Sequence, residues 1–218
     1  DRYIKDPKYL AYLFTPSYWN YHSPSAKGQY RPLRAATFSL DYLFWKSNPL
    51  GYHLTNVVLH TLNVIAAYFF LLLLVSSGRK EEPQEGAVRW RQFLGIPFLS
   101  ALFFAAHPIH TESVTWIKNR SDLLSFLFFF SSFLLFIRYS LADGVRSRVT
   151  RYLCAASCFI LALLSKEMAL SLPLILALYA SCFLRNKWKR ALIGIVPFFA
   201  IIALYLIFKH AALGMIVS

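Results

Sequence analysis

The chain has 218 residues, 57% of them hydrophobic and 17% aromatic, with a mean hydropathy of +0.48, more than a soluble domain of this size carries. Its net charge of +13 would suit nucleic acid, but the cations punctuate long uncharged apolar blocks instead of gathering in one solvated patch. That pattern argues against a nucleic-acid partner and for the flanking charges of several membrane helices among lipids. Cys154, Cys158 and Cys182 all fall inside apolar runs, so a disulfide framework or zinc site is not indicated and they read as small core residues.

Residues 1–50 form a polar, aromatic segment too long for a simple connector. It reads as a large external loop with interfacial helices. Tyr9, Tyr12, Phe14, Tyr18, Trp19 and Tyr21 are rings of the kind that settle at a membrane interface. Leu33, Ala36, Leu40 and Leu43 recur at helical spacing, which predicts an amphipathic helix over 31–45 lying on the bilayer surface. Asn48-Pro49-Leu50-Gly51 turns the chain into the second part, 51–218, a multi-span transmembrane domain.

About six spans are expected there, over 51–77, 93–106, 123–141, 152–164, 168–184 and 191–210. In the first, His53, Asn56, His60 and Asn63 fall within roughly 80° of one helix face. Such a stripe faces a wet cavity or hydrogen-bonds to neighbouring helices. The run at 93–106 covers only about 21 Å against a core of roughly 30 Å, which leaves His107 near the membrane boundary. The architecture is that of an all-α polytopic membrane protein. The polar opening and the abrupt close at 214–218 read as a piece of a longer membrane protein.

Orientation follows from the cations. The loops at 78–92, 138–151 and 185–190 hold four Lys or Arg each, whereas the alternate loops hold only Lys118, Arg120 and Lys166. The positive-inside rule puts the first set in the cytoplasm. Residues 1–50, 107–122 and 165–167 then share the external face, periplasmic or lumenal.

Ionisable groups at that edge are costly to keep and mark function. His107, His110 and Glu112, with spacings of three and two, have the donor chemistry for a divalent ion. The other reading makes His107 a helix cap and packs His110 in the loop. Arg31, Arg120 and Lys166 are candidates to meet a phosphate, Arg being the better bidentate partner, although each could instead contact lipid headgroups. His53, Asn56, His60, Asp122 and Glu167 supply a supporting polar face, and Lys166-Glu167 reads as a local ion pair at a helix turn.

YRPL at 30–33, NPLGYHLTNVVLH at 48–60, HPIHTESV at 107–114, NRSDLL at 119–124 and SKE at 165–167 occur in this order. Together they resemble the membrane part of the transmembrane and tetratricopeptide-repeat proteins and their bacterial relatives. These are GT-C class glycosyltransferases that use polyprenyl-phosphate sugars. The resemblance covers nearly all of residues 1–210. It implies a GT-C-like helical membrane domain whose first helix and C-terminal repeats are absent from this sequence. It also implies sugar transfer, of mannose in kind with the eukaryotic members, from a polyprenyl-phosphate donor to a Ser or Thr hydroxyl of a protein. Asp1 matches the second acid of the family's external acidic pair and is the implied catalytic base. Arg31, Arg120 and Lys166 would hold the phosphate, and His107, His110 and Glu112 would shape the pocket or hold an ion. The setting would be a bacterial inner membrane or the endoplasmic reticulum.

Two alternatives stand beside this reading. One is a GT-C enzyme acting on a lipid-linked or envelope glycan. The other is a transporter with a His-rich external ion site, against which the mid-membrane segments are almost purely apolar where a transporter needs polar groups.

Overall fold

The computed structural model describes residues 2–22, 29–78, 95–184 and 187–213. Helix α1 (Arg2–Lys5) and two 3₁₀ turns, Pro7–Tyr9 and Tyr12–Phe14, lead into α2 (Pro16–His22) and α3 (Pro32–Trp45). Pro32 opens α3 at a position where its missing N–H costs nothing. Lys46 closes it at φ 54°, donating its N–H to the Tyr42 carbonyl at 3.0 Å. Asn48 Oδ1 then accepts the Leu50 N–H at 3.1 Å, and Pro49 starts α4 (Pro49–Gly78). At 30 residues α4 is roughly 45 Å long, more than a bilayer core.

After α5 (Ile96–Ala106) come a 3₁₀ turn at Pro108–His110, the short α6 (Thr111–Thr115) and another turn at Ile117–Asn119. Helices α7 (Arg120–Leu141) and α8 (Val145–Ser165) follow, then the 3₁₀ turn Glu167–Ser171, α9 (Leu172–Phe183) and α10 (Trp188–Leu213). Among the described residues there is no strand. Each of the six apolar runs contains a helix. Four are long and apolar enough to cross a membrane (Pro49–Val75, Ile117–Leu141, Val145–Ser165, Trp188–Leu213), while Ile96–Ala106 and Glu167–Phe183 are shorter. The chain is an all-α, polytopic integral membrane protein.

Lipid tails are as apolar as leucine, so close fit must hold these helices together. Ala155, Ala162, Ala180 and Ala191 are fully buried and let backbones approach. Ser132 Oγ donates across to the Ala155 carbonyl at 2.7 Å, and Tyr152 Oη donates to the Gly194 carbonyl at 3.0 Å. Phe133, Phe136, Phe159 and Phe198 fill the centre, the last two stacked at 4.9 Å. Large apolar side chains such as Leu54, Phe103, Leu178, Ile193 and Ile207 point outward, as a lipid-facing band does.

Several expectations change. The loop foreseen at 138–151 shrinks to residues 142–144, because Arg138 ends α7 and Arg146, Arg148 and Arg151 belong to α8. Arginine is a good helix former whose long stem carries its charge past the membrane edge. Arg79, Lys80, Arg89, Arg91 and Arg185 lie outside the described residues. Helix α3 buries Pro32, Ala35, Ala36 and Ser39, while Leu40, Leu43 and Phe44 are exposed, so the apolar stripe is split between protein and surroundings. Tyr18 and Trp19 are buried in the protein instead of lying free at an interface; Trp19 Nε1 donates to the Leu13 carbonyl at 2.9 Å. Cys154 and Cys182 are exposed on the outer surface of α8 and α9, not in the core.

Candidate functional site

One end of the bundle collects α3, the start of α4, residues 107–119, the start of α7, the turn 166–171 and the last turns of α10. Here the chain places its charges in three groups.

In the first, Arg120, fully buried at the start of α7, reaches Asp41 of α3, with Nη1 2.6 Å from Oδ2. Its Nε donates to Asn56 Oδ1 at 2.8 Å and its Nη2 to the Tyr52 carbonyl at 3.0 Å. The guanidinium lies over the Phe38 ring at 4.6 Å. Asn56 passes the link on by donating to the Val114 carbonyl at 3.1 Å, and Thr55 Oγ1 donates to Asp41 Oδ1 at 2.9 Å. Arg120 therefore has donors engaged by protein on three sides, toward Asp41, Asn56 and the Tyr52 carbonyl.

The second group joins distant segments. Lys166 Nζ lies 2.6 Å from Asp122 Oδ1. Glu167 is held between Arg31 (3.5 Å) and Lys209 of α10 (3.3 Å), and Arg31 Nη1 also donates to Ser121 Oγ at 3.3 Å. Lys166 and Glu167 thus do not pair with each other: Lys166 is extended (φ −161°, ψ 144°), which throws successive side chains to opposite sides. The Asp122–Lys166 pair sits at the mouth of a groove of about 290 Å³ with a floor of Phe126, Phe129 and Phe130.

The third feature is a cavity of about 580 Å³ lined by Tyr18, Trp19, Phe38 and Trp116 together with Arg34, His53 and Lys118. Arg34 forms no hydrogen bond or ion pair through its guanidinium among the described residues. Burial and the neighbouring Arg31 charge pull its pKa down, opposed by Tyr18, Glu167 and Asp122. Tyr30, whose hydroxyl donates to the Phe14 carbonyl at 2.9 Å, is pushed up to about 12 by burial.

The remaining expected residues are dispersed. His107 Nδ1 accepts the Ile109 N–H at 3.2 Å and so caps the turn. The His110 ring packs 4.3 Å from Phe104 and 5.4 Å from His60, and burial, then His60 and His107, lower its pKa. Glu112 Oε1 accepts from Asn119 Nδ2 at 3.0 Å. Among the described residues no three His, Cys, Asp or Glu side chains gather as metal ligands, so His107, His110 and Glu112 do not fit a divalent ion. Of the stripe on α4, Asn56, His60 and Asn63 bond to neighbouring segments, Asn63 Nδ2 donating to the Leu123 carbonyl at 3.0 Å, and only His53 faces a cavity. Asp1 lies outside the described residues.

Sequence reasoning missed Arg34 and Lys209 as parts of this end. Lys209 carried a signal, being a lone cation in the last apolar run. Arg34 carried a weaker one, one helical turn after Arg31.

No family model and no solved structure matches the chain. It is 32% identical over 184 residues to Protein O-mannosyl-transferase Tmtc3 of Drosophila melanogaster, a match covering 78% of this chain and 19% of that protein. It is 30% identical over 188 residues to Protein O-mannosyl-transferase TMTC1 of Homo sapiens, covering 82% and 20%. The corresponding values for Protein O-mannosyl-transferase TMTC2 of Mus musculus are 32% over 186 residues, 83% and 20%. The chain spans about one-fifth of the length of these curated relatives. At 30–32% identity over most of its own length, the chain is similar to one stretch of these O-mannosyl-transferase proteins, in line with the resemblance its motifs carry.

Proposed function

We propose that this chain is part of a membrane glycosyltransferase that moves mannose from a polyprenyl-phosphate donor to a Ser or Thr hydroxyl of a protein. The transfer would take place at the external, periplasmic or lumenal, face. The observation that carries the reading is the excess of cations beside apolar grooves at one end of the bundle. Among the described residues, Arg31, Arg34, Lys166 and Lys209 face Asp122 and Glu167 there, four cations to two acids. The relatives' names supply the sugar and the acceptor class.

In this reading Asp1 takes the proton from the acceptor hydroxyl as the oxygen attacks the anomeric carbon. The bond from that carbon to the phosphate oxygen breaks, and the departing polyprenyl phosphate gains negative charge. Fixed cations stabilise that charge without reorganising. Arg31 and Lys166 would contribute to that field, while Arg120 would act indirectly by fixing α3 and α4. The Phe-floored groove beside Lys166 suits the first isoprene units of the donor.

The test uses the full-length protein in membranes, labelled polyprenyl-phosphate mannose and an acceptor protein, with Asp1→Asn beside the wild type. Transfer that disappears in the variant while donor binding persists supports the reading. Equal transfer by both removes Asp1 as base, and no transfer from any polyprenyl-phosphate sugar refutes the activity.

A further inference from the structure

The half-buried and buried cations at the charged end differ in one respect. Arg120 is bound to Asp41, Lys166 to Asp122, and Arg31 and Lys209 share Glu167. Arg34 has no acid partner within ion-pair distance among the described residues, although burial makes an unpaired guanidinium costly. Arg34 lines the 580 Å³ cavity, whose lining also includes Lys118 and His53 and, among the described residues, no carboxylate. That volume falls within the roughly 300–1,000 Å³ of small-molecule sites. Tyr18, Trp19, Phe38 and Trp116 give it the apolar wall that strengthens any charge interaction inside.

We infer that this cavity is an anion site for a phosphoester, with Arg34 as the bidentate ligand, Lys118 as a second charge at the rim and His53 as a hydrogen-bonding partner. A guanidinium presents a planar fork that matches two phosphate oxygens. Lys118 is exposed on the short turn Ile117–Asn119, so it can swing to an incoming anion, whereas Arg34 is held on α3. The inference rests on the glycosyltransferase reading for the carrier of the phosphate, and on the cavity for the anion itself. It moves the principal phosphate ligand from Arg31, Arg120 and Lys166, each of which has an acid within ion-pair distance, to Arg34.

The experiment measures binding of two probes to the full-length protein in nanodiscs: a short-chain prenyl phosphate and soluble mannose 1-phosphate. Arg34→Gln is expected to weaken the prenyl phosphate at least tenfold, Arg34→Lys to restore part of that loss, and Lys118→Gln to cost a few-fold. Lys187→Gln at the opposite end serves as control and leaves affinity unchanged. Loss confined to the prenyl phosphate assigns the site to a lipid headgroup, and equal loss for both probes assigns it to the free phosphoester. Wild-type affinity in Arg34→Gln, or no binding of either probe by the wild type, overturns the inference. If Arg34→Gln does not fold, labelling of Lys118→Cys by a charged thiol reagent decides: slowing by saturating probe supports the site, and an unchanged rate refutes it. Probe binding by a wild type that transfers no sugar would instead remove the enzymatic reading and leave the anion site standing.

Discussion

The Arg120–Asp41 pair offers the sharpest test of how the charged end is held. Asp41→Asn removes the only acid within ion-pair distance of a guanidinium that is fully buried, while the Asn56 and Tyr52 contacts remain. Breaking a buried pair by removing one partner costs about 3–5 kcal/mol, because the surviving charge stays desolvated. The remaining hydrogen bonds argue for the lower part of that range. At about 2–4 °C per kcal/mol for 150–250 residues, thermal unfolding in detergent should fall by roughly 6–20 °C. Replacing both partners by apolar residues, Asp41→Leu with Arg120→Met, should recover most of the loss, since an apolar pair of similar volume is often as stable as the ions it replaces. A double-mutant cycle over the four proteins measures the coupling directly. An Asp41→Asn protein as stable as wild type, or a double variant worse than either single one, would refute the reasoning.

Two further outcomes are expected from the same end. A Cβ on Gly51 would run into the Trp45 ring, so Gly51→Ala should destabilise the α3–α4 corner by about 1–3 kcal/mol in thermal unfolding, and Trp45→Ala in the same chain should relieve part of it. Tyr30, with its pKa pushed up to about 12 by burial, should stay protonated at pH 11, where an ordinary tyrosine near 10 is ionised. Its contribution to stability is then fully present below pH 10 and is lost as pH rises through about 12. The phenolate absorbance of wild type minus Tyr30→Phe checks this, and a Tyr30 component titrating near pH 10 would contradict the burial.

The helices were readable because uncharged apolar runs of this length have few other outcomes, and Asn48-Pro49 marks the start of α4 within a residue or two. Helix ends were less readable, since Arg146 and Arg148 look like loop residues in a sequence yet sit comfortably in the first turns of α8. Side-chain pairing was not readable at all. Asp122 meets Lys166 across 44 positions, and Arg120 meets Asn56 across 64, so local spacing carries no trace of either contact. For the same reason His107, His110 and Glu112, close in sequence, turn to a backbone N–H, an aromatic ring and Asn119 respectively. Pro108 breaks the continuous helix that would have kept them on one face.

These pairings bear on why a charged end can exist on so apolar a bundle. Packing among lipid-facing helices gains little from the hydrophobic effect, and this end is built of short turns with few backbone bonds between them. Charge contacts supply ties that apolar packing does not: Asp41 joins α3 to α7, Asp122 joins α7 to the turn after α8, and Glu167 joins that turn to α3 and α10. Each of these acids is thereby engaged in a tie between segments. Among the described residues, Asp122 and Glu167 could move to neutralise Arg34 only by breaking their ties to Lys166, Arg31 and Lys209. Charge developing on a departing phosphate would meet a positive field already in place, which is the condition under which electrostatic stabilisation lowers a barrier most.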